Sequence, residues 1–206
     1  MIKFSKELAA ILDVIDFEDG GMEIIAMELL GNDLNLKIEL WDDLYGIPRQ
    51  QWRLECRCVK DYRLQPSNNK VGLEVMTEHP LLFPHNKVQS ELFFNGTTDK
   101  LKDLLADLMI AHNKIVGTWF SLGDFVHQIP CLTHVPYIKN SDFKFGLLAR
   151  GPDIVMQEYL KVMKQYEIQA NIINQRESNN DNIVLFIGDN YFIANSIQVT
   201  NIGVVA

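Results

Sequence analysis

Three residues with zinc-preferring donor atoms stand close together: His127, Cys131 and His134, spaced H-x3-C-x2-H, with Asp124 just upstream. Two imidazoles and a thiolate leave a fourth tetrahedral position for water, the arrangement of a catalytic zinc. His127 and Cys131 would share a helix face, but Pro130 lies between them and opposes a continuous helix. The same neighbourhood holds Ser121, Asp124 and His127, the residue types of a nucleophile, an orienting carboxylate and a base. No G-x-S-x-G turn accompanies them. An enzyme or ligand-binding site, with zinc as its cofactor, would therefore use the segment 117–142. Ordinary packing and loop roles are the competing expectation for these side chains.

A second set of residues points to binding rather than chemistry. Asp13, Asp16, Glu18 and Asp19 crowd one short stretch, and Asp42-Asp43 follows Trp41. They lack histidine neighbours, so they read as acidic surface rather than as acid–base catalysts. Residues 1–50 carry eleven acidic and four basic side chains, whereas residues 51–206 carry sixteen and fifteen. Nearly all of the net charge of -8 thus falls in the first quarter of the chain. Such a surface repels phosphate backbones, which argues against nucleic acid, and it attracts and steers a basic protein. Neither G-x-G-x-x-G nor G-x-x-x-x-G-K-[ST] occurs.

Hydrophobic period assigns the elements that must hold these residues. Phe4, Leu8, Ile11, Leu12 and Ile15 recur at helical spacing, predicting a helix over 6–15 with Ser5 as its cap. Met22 to Leu30 reads as a strand, and Leu34, Leu36, Ile38 and Leu40 alternate with polar residues after a Gly-Asn-Asp turn. Trp52, Leu54, Cys56 and Cys58 repeat that alternation. It places the two thiols on one strand face about 6.5–7 Å apart, at the edge of disulfide reach. Two buried free thiols are expected there. Strands follow near 71–75 and 88–94, then an amphipathic helix over 98–116. A strand at 143–149, a helix opened by Gly151-Pro152-Asp153, a strand over 168–172 and a hairpin of 183–187 with 191–199 complete the chain.

The expected fold is therefore α+β: an N-terminal antiparallel β-meander backed by a long helix, then a smaller β-α-β-β-β unit. Its expected boundaries are 1–118, an irregular connector over 119–142, and 143–206, with one continuous domain as the alternative. At 206 residues, with 47% hydrophobic and 22% charged residues, the chain has an ordinary globular composition. No apolar run approaches the ~20 residues of a membrane span. The charged N-terminus is unlike a secretory signal, and three cysteines suit a reducing compartment. The expectation is a soluble cytoplasmic interaction protein, an inhibitor or immunity-type protein whose acidic surface meets a basic partner. The alternative is a small metal-dependent enzyme or ligand binder built on 117–142.

Overall fold

Alternation at Leu34, Leu36, Ile38 and Leu40 forces one strand face into a core, and all four side chains are at most 1% exposed. The computed structural model describes residues 2–3, 6–15, 20–65, 72–127, 145–176 and 181–205. The chain is α+β and divides into two units, one of Met1–Leu82 with Asn180–Ala206, the other of Phe83–Asn179.

The first unit begins with β1 (Ile2–Lys3), α1 (Lys6–Leu12), β2 (Gly20–Leu30), β3 (Asp33–Asp42) and β4 (Ile47–Arg57). Strands β2, β3 and β4 form the antiparallel meander read from the sequence. The short β5 (Asp61–Arg63) and β6 (Leu73–Met76) follow. After the second unit the chain returns as β10 (Ile183–Ile187), β11 (Asn190–Ala194) and β12 (Ser196–Val204). Two sheets result, in the orders β1-β12-β4-β3-β2 and β5-β11-β10-β6. They share one core with α1, in which Leu8, Met22, Trp52, Leu185 and Phe192 are fully buried.

The expected strand over 191–199 is broken at Asn195, whose N–H donates to the Arg57 carbonyl (3.0 Å). Residues before the break pair with β10, and those after it pair with β4. One strand cannot serve both sheets without this corner. The returning segment also needs a rigid turn, which Asn190 supplies. Its amide donates to the Ile187 carbonyl, and its side-chain oxygen accepts the Gln65 N–H (2.6 Å).

The second unit runs through α2 (Phe83–Asn86), β7 (Gln89–Asn95), α3 (Leu101–Val116), α4 (Leu122–Phe125), β8 (Phe145–Pro152), α5 (Asp153–Gln165) and β9 (Gln169–Arg176). Its sheet has the order β8-β7-β9. The apolar stripe of α3, including Leu104 and Leu108, is buried with Leu92 and Phe94 of β7 and with Val155, Met156 and Tyr159 of α5. The long helix thus belongs to this sheet and not to the meander it was expected to back. The expected β-α-β-β-β unit is likewise divided: β8, α5 and β9 lie in the second unit and β10 to β12 in the first. The division accordingly falls at neither 118 nor 143. Helix period shows which side of α3 is buried but is silent on which sheet buries it.

His112, fully buried on α3, joins the layers of this second core. Its Nε2 lies 2.7 Å from the Phe120 carbonyl and its Nδ1 2.7 Å from the Tyr159 hydroxyl. A carbonyl only accepts, so Nε2 carries the proton and Tyr159 donates to Nδ1. Burial pushes the Tyr159 phenol up, which keeps it in the donating form. Replacing His112 by Leu strands a buried hydroxyl and a carbonyl and should cost on the order of 2–4 kcal/mol. Adding Tyr159→Phe should cost less than the separate effects summed. Urea denaturation of the two single variants and the double variant checks both statements, and strict additivity would contradict the shared network.

Candidate functional site

The tip between β3 and β4 joins the acidic residues to exposed apolar ones. Asp42 is fully buried, and its Oδ1 accepts the Tyr45 N–H (3.0 Å). Gly46, at φ +65°, closes the turn in a conformation that favours glycine. This fixed turn presents Asp43 to solvent together with Leu44 (63% exposed) and Tyr45 (57%). Asp42 was expected to contact the partner, and the structure corrects that. Its carboxylate is buried and holds the Tyr45 N–H, so it positions the tip instead of lying at the surface.

Behind the tip the surface is braced by charge. The Arg49 guanidinium lies 4.5 Å from the Trp41 ring centroid and donates to Glu39 (2.9 Å). Gln51 donates to the other oxygen of Glu39 (3.1 Å). These bonds, Gln51 first and then Arg49, hold the Glu39 carboxyl below its ordinary range against the opposing effect of burial. The end of β12 adjoins the same place, since the Val205 N–H donates to the Arg49 carbonyl (2.8 Å). It brings exposed Ile202, Val204 and Val205 to this end of the sheet.

Of the other carboxylates singled out, Asp13 is exposed just after α1, while Asp16, Glu18 and Asp19 lie outside the described residues. Gly20 pairs with Asp42, so the chain leaving Asp13 re-enters the sheet beside the tip. In the zinc trio, His127 is exposed, and Cys131 and His134 lie outside the described residues. Among the described residues no three His, Cys, Asp or Glu side chains gather as a metal site. In the Ser121, Asp124, His127 set, the Asp124 carboxylate accepts the Ser121 N–H (2.6 Å), the bond of a helix cap.

Both described cysteines are free, and Cys56 is buried, its thiol pushed up to about 12 by that burial. Cys58 is exposed instead of buried. Strand β4 ends at Arg57 because Asp33 takes the Cys58 N–H (2.8 Å) and the Arg57 guanidinium (2.7 Å), and Cys58 turns to φ +52°.

The second unit has an acidic concavity of its own, of about 590 Å³, flanked by Asp99, Asp103 and Asp107 of the α3 region and by Glu167. Tyr166 donates to Asp107 (2.7 Å), a bond that raises the phenol to about 12. The spacing 99, 103, 107 is legible in the sequence as one helix face. The exposure of Leu44 and Tyr45 is not, because the run Leu-Tyr reads equally as core.

No protein-family model, curated protein or solved structure matches this chain.

Because Glu39 titrates lower in the folded protein than in the unfolded chain, its charge stabilises the fold at neutral pH. That contribution fades as acid protonates it. Glu39→Gln should therefore be less stable than the parent at pH 7, with the two converging between about pH 5 and pH 3. Denaturation midpoints across that range check this, and a constant gap would contradict it.

Proposed function

We propose that this protein binds a basic protein partner through the first unit and has no chemistry of its own at that surface. The observation that carries the reading is the charge division. The first unit holds seventeen Asp and Glu against nine Lys and Arg, and the second holds ten of each, so the whole excess of -8 belongs to one unit. That field favours a cationic partner and disfavours phosphate backbones.

Charge alone steers association, whereas tight binding needs buried apolar anchors. The tip supplies them: a tyrosine and a leucine beside an aspartate, on a turn already fixed by Asp42, so that little order is lost on docking. A cytoplasmic inhibitor, such as an immunity-type protein that covers a basic toxin or nuclease, is the form we favour. The free thiol exposed at Cys58 suits a reducing compartment. No described helix is long and apolar enough to cross a membrane.

The test is capture by the full tagged chain from its own cells at low and high salt, with matched variants. The reading expects one basic protein that is retained at low salt and released as salt rises. Asp43→Asn with Leu44→Ala and Tyr45→Ala should reduce its retention at least about tenfold. Asp103→Asn with Asp107→Asn, in the concavity of the second unit, should leave retention unchanged. Loss with the second pair and not with the first set would overturn the reading.

A further inference from the structure

Among the described residues strand β2 ends its sheet, and beyond its midpoint the strand is largely apolar and exposed. Ile25, Met27, Leu29 and Leu30 are 38–54% exposed. A bulge at Ile25 sets the register of this half. Beyond it Met27 stands opposite Leu36 and Leu29 opposite Leu34, both of which are core residues. Met27 and Leu29 therefore extend the core-facing row of the sheet to its edge, where nothing among the described strands continues it. On the other face, Ala26 stands opposite Lys37 and Glu28 opposite Asn35. A concavity of about 320 Å³ opens here, lined in part by Glu28, Lys37 and Arg53.

We propose that β2 receives an extended segment of a basic partner as a sixth strand of this sheet. The pleat determines what such a strand must carry. Its residues facing Met27 and Leu29 must be apolar to extend the core row, and those between must be Lys or Arg to meet Glu28 and Glu23. Main-chain hydrogen bonds then supply affinity and the alternating side chains supply specificity.

A second copy of this chain fits less well. Its β2 would bring two more glutamates and no lysine or arginine, within a unit that already holds the whole negative excess. The inference rests on the reading of a basic partner but names a surface other than the β3–β4 tip, so the two can fail separately.

The probe is a labelled ten-residue peptide of alternating valine and lysine, titrated into the full chain and followed by fluorescence anisotropy. Controls are the valine–glutamate peptide and a valine–lysine peptide N-methylated at alternate residues, which cannot complete the ladder. We expect the first peptide to bind and both controls to bind at least about tenfold more weakly. Met27→Lys with Leu29→Lys, which changes only exposed positions, should weaken the first peptide by a similar factor, while Asp103→Asn with Asp107→Asn in the second unit should leave it unchanged. Absence of binding, or equal binding of the N-methylated peptide, would overturn strand addition. Concentration-dependent dimers abolished by the Met27 and Leu29 changes would overturn it in favour of a second copy.

Discussion

The pairing of β12 with β4 holds the first unit together, because it joins strands separated by most of the chain. Ile197 stands opposite Cys56 and Val199 opposite Leu54, with Ser196 opposite Arg57 at the corner. This pairing closes the five-stranded sheet over the core around Trp52 and Phe192, while β5, continuing from β4, pairs with β11 and ties in the second sheet. Closing so long a loop has an entropic cost that grows only slowly with its length. Such an insertion is therefore tolerable in stability, although it slows folding. The buried side chains of Ile183, Val184, Leu185, Ile187 and Phe192 supply apolar area that offsets the cost.

This constraint explains how the two units divide their work. The second unit closes its own core through β7, α3, α5 and the buried His112 network. Its Ser90 hydroxyl donates to Asp153 (2.8 Å) at the start of α5, fixing the corner between β8 and the helix. Gly151 sits there because a Cβ would lie 2.8 Å from the Phe125 ring. Its charges balance. In the first unit the charges are unbalanced, and buried polar groups such as Asp42 and Glu39 are tied down by named donors. What remains exposed is a combination of carboxylates and apolar side chains, the surface the proposed function uses.

Much of the secondary structure was legible because local period is a local property. The strands at 33–42, 47–57, 89–95 and 183–187 and the helices at 101–116 and 153–165 follow directly from alternation and from helical stripes. Assembly was not legible, since a stripe such as Leu104 and Leu108 names no partner. The corner at Asn195 and the left-handed turn at Cys58 depend on Arg57 and Asp33 from distant strands, which no local pattern contains. The acidic surface was half legible. Composition located the charge, but only the fold shows that Asp42 is buried and that Leu44 and Tyr45 are its exposed neighbours.

The binding surface proposed for this protein is the first unit. Amide hydrogen exchange of the full chain, with and without the basic protein it captures, tests it most directly. The account expects slowed exchange over residues 42–46 and along β2, with α3 and α5 unchanged. Protection confined to α3 and α5, with the β3–β4 tip exchanging as in the free protein, would contradict it.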